Sequence, residues 1–272
     1  MLVGAGSYLF RYSVGTVSFQ PEKPMSARQL VEKAAELGFE LVQFADNLPL
    51  EHLDNKELEE LRETASRCQI VLEVGTAGAR VERLMRYLDI AERLDAKLVR
   101  LAPHAPDTHP SCEEILAVLK EVLPRYRKAG VTIAIENHFT MSSADLAALV
   151  RRVNDPLVGV CLDTANSIVQ QEWPMQTIEI LGEHTVNLHL KDYKVMAHPE
   201  GIGVIIGGAP LGYGDQNIEA ILSYLRNSGK DVNMILEQWM PVAETPEETL
   251  INEESWIRQS VETALRVRGN PA

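Results

Sequence analysis

Residues 132–138 read T-I-A-I-E-N-H. An apolar, β-branched run ends abruptly in three side chains that carry chemistry. A strand covered on one face alternates apolar and polar residues, whereas a strand covered on both faces reads as an unbroken apolar run. The same plan returns at 158–166 (V-G-V-C-L-D-T-A-N), at 186–192 (V-N-L-H-L-K-D) and at 233–239 (N-M-I-L-E-Q-W). Outward from these, strand candidates fall at 2–8, 41–45, 70–74, 98–102, 132–137, 158–163, 186–191 and 233–238. The segment 14–19 competes with 2–8 for the first place.

Helical stretches of a dozen or more residues separate the runs, and they carry start signals. Ser26 precedes a stretch that stops at Gly38, and Asp54 opens another that ends near Cys68. Ser111 with Glu114 three residues on is a capping box, and Ser143 opens A-D-L-A-A-L-V-R-R-V. The last helix is expected over 253–267. Alternation of this kind predicts βαβ units and a parallel sheet. Eight runs in 272 residues is about 34 per unit, the length of one βα unit. The expectation is an α/β chain, a single (β/α)8 TIM barrel spanning residues 1–272. An open doubly wound sheet would need a Gly-rich phosphate loop after its first strand. Gly4 and Gly6 lie inside the first strand candidate, and G-x-G-x-x-G is absent.

Composition narrows the function. With 26 basic and 39 acidic residues the formal net charge is −13, which argues against a partner with a phosphate backbone. No run of about 18 apolar residues is present, so no membrane partner is expected. The apolar start lacks a basic leader, and Cys68, Cys112 and Cys161 are scattered without C-x-x-C spacing. A cytoplasmic, reducing location is the expectation.

In a parallel barrel the site forms where strands end. Strand five ends in Glu136, Asn137 and His138, and strand six in Asp163, Thr164 and Asn166. Strand seven ends in His189, Lys191 and Asp192, and strand eight in Glu237, Gln238 and Trp239. Three carboxylates gathered behind apolar runs repel one another at high cost, which a divalent cation relieves. Three carboxylates and one imidazole form a mixed oxygen–nitrogen set. It favours Mn2+ or Mg2+, with Co2+ or Zn2+ also accommodated. Arg100 and His104 at the end of strand four, with Tyr8 and Phe10 after strand one, are further rim candidates. Glu73, inside strand three, is a candidate hydrogen-bond acceptor behind the site. His109, His184 and His198 read as surface or turn residues.

The series E-N-H, L-D-T, H-L-K-D and a strand-eight Glu resembles the xylose-isomerase-like TIM-barrel superfamily, which includes tagatose 3-epimerase and hydroxypyruvate isomerase. P-L-G-Y-G-D at 210–215 resembles the Gly-rich stretch that follows strand seven there. The resemblance implies that Glu136, Asp163, His189 and Glu237 ligate one divalent metal. It also implies that Glu136 and Glu237 exchange a proton beside a carbonyl, through an enediolate. Lys191 joins them as a catalytic candidate. His104, His138, Asn166, Arg100, Tyr8 and Trp239 are the substrate-binding candidates.

Departures qualify that reading. Asn166 stands where many sugar epimerases of the group have His, and Y-K-V-M-A-H at 193–198 lacks their Arg. The first expectation is a metal-dependent isomerase or epimerase of a small keto-sugar or sugar acid. The alternative is a metal-dependent decarboxylase of a 3-oxo sugar acid. The loop S-V-G-T-V-S-F-Q-P-E-K-P-M at 13–25 supports it, because it resembles members that handle oxidised sugar acids. A trinuclear-zinc endonuclease of the same group needs many more than seven histidines. A non-catalytic binding subunit is the remaining alternative. The apolar segment 198–215 is expected to be a lid or an interface loop packed on the barrel mouth or a partner, and a homo-oligomer fits it.

Overall fold

The computed structural model describes residues 1–269. Eight strands close into a parallel barrel: β1 (Val3–Gly6), β2 (Leu41–Gln43), β3 (Val71–Ala77), β4 (Leu98–Ala102), β5 (Thr132–Glu136), β6 (Val158–Asp163), β7 (Thr185–Leu190) and β10 (Met234–Leu236). Their order round the barrel is β1-β10-β7-β6-β5-β4-β3-β2, with β1 closing against β2. Chain order and spatial order therefore agree, as a (β/α)8 barrel requires. Within the described residues the barrel is one domain. Between β7 and β10 lies an antiparallel hairpin, β8 (Asp192–Ala197) and β9 (Val204–Ala209).

The helices are α1 (Arg11–Val14), α2 (Ala27–Glu36), α3 (Asn55–Cys68), α4 (Val81–Arg93), α5 (Cys112–Ala129), α6 (Ser143–Val153), α7 (Pro174–Leu181), α8 (Ile218–Asn227) and α9 (Pro246–Arg268). Ser26, Asp54 and Ser111 cap α2, α3 and α5, each in a reciprocal capping box with the residue three on. Ser142, not Ser143, caps α6, because its Oγ accepts the Asp145 N–H. The last helix starts at Pro246, seven residues before the expected point, behind the Thr245 cap. Among the described residues no helix is long and apolar enough to cross a membrane.

The two faces of the barrel strands do different work. Val3, Ala5, Val42, Leu72, Val74, Val99, Leu101, Ile133, Ile135, Val160, Leu162, Leu188, Leu190 and Leu236 are buried in one hydrophobic cluster with the helices. The intervening parity carries Gly4, Gln43, Glu73, Arg100, Asn187 and His189. Gln43 Nε2 donates to Glu73 Oε2 at 2.8 Å and to Asn187 Oδ1 at 3.0 Å, so side chains of β2, β3 and β7 meet across the interior. Gly4 lets β1 approach its neighbours: a Cβ there would lie 2.7 Å from Leu41 Cδ2 and 2.8 Å from Ile235 Cδ1.

Strand one is shorter than 2–8, because residues 7–10 curl into a 3-10 turn that lifts Tyr8 out of the sheet. The rival segment 14–19 forms no strand; it leaves α1 through Gly15 and loops back. Strand three runs past residue 74 to Ala77.

The 198–215 segment does not pack over the barrel mouth as a lid. Its first part completes the hairpin, whose Val195, Met196, Ile202, Val204, Ile205 and Ile206 stay exposed instead of covering the barrel mouth. Only the hairpin base is buried, through Tyr193 and Ala209. The P-L-G-Y-G-D stretch then wraps the Asp192 carboxylate. Asp192 Oδ2 accepts the N–H groups of Gly212 and Gly214, both at 2.9 Å, and Oδ1 accepts those of Tyr193 and Gln216 at 2.8 and 3.1 Å. A Cβ at residue 214 would fall 2.1 Å from Asp192 Oδ1, so the second glycine of the motif is a condition of the wrap. Asp192 thereby anchors the loop beside the site. Asp192→Ala strands four backbone donors, those of Tyr193 and Gln216 buried, and is expected to lower unfolding free energy by about 2–4 kcal/mol. Urea denaturation measures this, and a loss below about 1 kcal/mol would contradict the anchoring role.

Candidate active site

Each site residue stands at a strand end for a local reason. Asn137 bridges β5 and β6: its Nδ2 donates to Asp163 O at 2.8 Å, and its Oδ1 accepts the Asp163 N–H at 2.6 Å. Asp163 Oδ1 accepts the N–H groups of Ala165 and Asn166, each at 2.9 Å, which turns Oδ2 into the barrel mouth. His189 pairs in register with Asp163 on one side and Ile235 on the other, two residues before Glu237.

The four residues expected to share a metal lie near one another, with Glu136 grouping with Cys161 and His189 and not with Asp163 and Glu237. His189 Nδ1 lies 3.3 Å from Glu237 Oε1, and 3.9 Å from both Glu136 Oε1 and Asp163 Oδ2. All four side chains are buried. Donor atoms of Asp163, His189 and Glu237 lie within 4.8 Å of one another. His189 Nδ1 has no hydrogen-bond partner, although it is buried among carboxylates.

Two cations enter the same space. Lys191 Nζ lies 2.7 Å from Asp163 Oδ2 and 2.8 Å from Glu237 Oε2, with Asn166 Oδ1 at 3.4 Å and the Trp239 ring centroid at 5.2 Å. Arg100 is bonded to Glu136 Oε2, and its Nη1 donates to Asp46 Oδ1 at 2.8 Å. Asn166 Nδ2 donates to Glu136 Oε1 at 2.9 Å. Both Glu136 oxygens are therefore engaged.

The titrations follow this layout. Burial works against the Lys191 ammonium, but Asp163 and Glu237 outweigh it and hold the amine charged above its ordinary range. Burial also works against the Glu237 carboxylate, yet Lys191 and His189 bring it down to about 2. Asp163 is pushed up, by burial first and then by its acidic neighbours against the pull of Lys191. Burial lowers His138, which favours its neutral form. Tyr8 is raised by burial and by Asp46, whose Oδ2 accepts its hydroxyl at 3.0 Å.

A cavity of about 430 Å3 opens above the cluster, lined by every one of the substrate-binding candidates Tyr8, Arg100, His104, His138, Asn166 and Trp239. Glu136, Lys191 and Glu237 also line it. Phe10 does not; it is buried in the helix–barrel core. His104 is fixed by Thr140 Oγ1 and by Pro110 O, the latter at 2.9 Å. His109 is not a plain surface residue: it lines the cavity, its ring 5.9 Å from that of His104. Gln238, from the end of strand eight, lines it as well, and so do Arg11, Asp46 and Phe139, which the strand-end reading did not include. Asp46 carried the same signal as the other rim acids, an acid directly after an apolar run, but on strand two.

A charged pocket at the C-terminal mouth of a (β/α)8 barrel is the arrangement of a barrel enzyme. The profile of the xylose isomerase-like TIM barrel matches residues 31–265, and the chain belongs to that family. A relative from Pectobacterium atrosepticum (strain SCRI 1043), 3-oxo-isoapionate decarboxylase, is 31% identical over 96% of this chain and 94% of its own. A D-psicose 3-epimerase crystallised in the presence of D-fructose superposes with a TM-score of 0.75, at 16% identity, over 99% of this chain and 100% of its own. A xylose isomerase-like TIM barrel protein from Mycobacterium smegmatis in complex with magnesium gives 0.68, at 18% identity, over 97% of each chain.

Arg100 is buried against two acids. Arg100→Leu leaves Glu136 and Asp46 without their counter-ion and is expected to cost about 3–5 kcal/mol in urea unfolding. The double variant Arg100→Leu/Glu136→Leu is expected to recover part of that loss, since it removes one of the stranded charges.

Proposed function

We propose that the protein is a divalent-metal-dependent decarboxylase of a small 3-oxo sugar acid. The observation that carries this reading is the state of Glu136. A two-base isomerase needs a carboxylate on each side of the substrate with an oxygen available for the proton. Here Arg100 and Asn166 engage both oxygens of Glu136. Decarboxylation asks for no such base. It needs an electron sink beside the ketone, positive charge that persists through the reaction, and one proton for the carbon that loses CO2. Kinship with the Pectobacterium decarboxylase over nearly the whole chain supports the same choice.

Asp163, His189 and Glu237, whose ligand atoms lie within 4.8 Å of one another, would hold the metal, and Glu136, held by Arg100 and Asn166, would face it as a further carboxylate. The residues fit it in two ways. The unpartnered His189 Nδ1 is a ligand atom already aimed at the carboxylates. The four acids Asp46, Glu136, Asp163 and Glu237, set against Arg100 and Lys191, leave two negative charges over, which a divalent cation balances. When bound, the metal supplies Lewis acidity toward the ketone oxygen. Manganese or magnesium suits so carboxylate-rich a set.

The protein's own groups do the rest. Lys191 stays cationic and presents fixed charge to the enolate that develops as the C1–C2 bond breaks. Its electrons pass into C2–C3, CO2 leaves, and C2 takes one proton from solvent through the open mouth. Tyr8, Phe139 and Trp239 supply apolar wall, while Arg11, His104, His109 and His138 line the remainder with donors for hydroxyl and carboxylate oxygens.

A second reading keeps the pocket and changes the reaction. Glu136 and Glu237 both line the cavity, and an enediolate isomerase or epimerase would use them as its two bases. Proton NMR in D2O with Mn2+ separates the readings against 3-oxo sugar acids, ketoses and aldoses, with EDTA and Glu237→Gln controls. The decarboxylase reading expects metal-dependent CO2 release and one deuteron on the carbon that carried the carboxylate. Deuterium beside the carbonyl with carbon count unchanged would replace it with the isomerase reading. Lys191→Met is expected to lower kcat/KM for decarboxylation at least about 100-fold, near 2.7 kcal/mol. An unchanged value would remove Lys191 from the chemistry.

A further inference from the structure

The barrel interior below the site holds an uncommon set of polar side chains. Glu73 is buried on β3 and takes three amide donors: Gln43 Nε2 at 2.8 Å and Asn187 Nδ2 at 2.9 Å on Oε2, and Asn233 Nδ2 at 2.9 Å on Oε1. Asn187 Oδ1 accepts the second Gln43 N–H at 3.0 Å and faces the Cys161 thiol at 3.4 Å. Gln43 Oε1 lies 2.6 Å from His189 Nε2. The Nδ1 on the other side of that ring is the unpartnered atom facing Glu136, Asp163 and Glu237.

We propose that Glu73 and Gln43 are positioning residues that lock His189 as its Nε2–H tautomer and so keep the Nδ1 lone pair turned into the carboxylate cluster. The argument is one of donors and acceptors. Both hydrogens of the Gln43 amide point at acceptors, the Glu73 carboxylate and the Asn187 carbonyl. Rotating that amide by half a turn would set its oxygen against both of them, at the full cost of buried unsatisfied groups. Gln43 therefore offers His189 only an acceptor, and Nε2 must carry the proton. A neutral imidazole has one N–H, so Nδ1 is left with its lone pair. Asn187 shares Glu73 Oε2 with Gln43 and Asn233 takes Oε1, which makes the orientation a property of β2, β3, β7 and the residue before β10 instead of one rotamer.

The proposal rests on the reading of His189 as a metal ligand for its purpose, but not for its test. In metal-free protein labelled with 15N-histidine, long-range proton–nitrogen correlation at about pH 8.5, above the ordinary imidazole range, reports which nitrogen is protonated. His189→Gln assigns the signal. The expected spectrum shows Nε2 protonated and Nδ1 bare. A proton on Nδ1, in either the neutral or the charged ring, overturns the proposal on wild-type protein alone.

Glu73→Gln gives Gln43 freedom to turn, and Gln43→Leu removes the acceptor; each is expected to shift the tautomer population. Calorimetric titration with Mn2+ alone should then show affinity weakened about 10- to 100-fold in both variants. Unchanged tautomer and affinity in the variants overturn the proposal. Wild-type protein that binds no Mn2+ would instead sink the metal reading, while the nitrogen spectrum still decides the tautomer.

Discussion

Charge balance at the barrel mouth is the constraint on which the rest of the structure depends. Four acids converge where β2, β5, β6 and β10 end, and two buried cations meet them. Neither set is tolerable alone among side chains this buried, since an unpaired buried charge costs several kcal/mol. Arg100 answers Glu136 and Asp46, and Lys191 answers Asp163 and Glu237. Burial raises Asp163 first, whereas Lys191 and His189 bring Glu237 down against its own burial, so the two neighbours answer the same surroundings in opposite directions.

Much of this was legible because barrel strands announce themselves twice, once by apolar outward positions and once by the polar residue that ends the run. The chain places Glu136, Asp163, His189 and Glu237 after such runs, and the fold brings them together. Strand ends were read less well. Residues 2–8 look like one strand, yet Ser7 turns the chain by binding Asn47 across to the β2 loop, and no local pattern encodes that. The hairpin escaped notice because G-I-G-V-I-I-G-G lacks alternation. An exposed two-stranded ribbon has no inner face to impose it.

The pairings inside the site were the least legible part. Lys191 shares parity with His189, which places it in the mouth, but its choice of Asp163 and Glu237 over the adjacent Asp192 depends on the Gly-rich wrap. Four backbone N–H groups already satisfy Asp192, so it has little left to offer an ammonium. Gln43 and Asn187 gave no signal of their own. A lone amide in an apolar run has meaning only when its partners from β3 and β7 are known.

The split between the two parities of each strand reaches beyond this one reaction. Outward residues answer to the helices, and any change there must be matched by the packing around it. Inward residues answer only to one another, in rings across the barrel. Gln43, Glu73 and Asn187 form a linked set of donors and acceptors that also reaches Asn233, Cys161 and His189, so a change at one member is felt by the others. Innovation in a barrel of this kind must then proceed ring by ring. New chemistry at the mouth is inherited or lost with the polar layer beneath it, while the helical shell stays as it was.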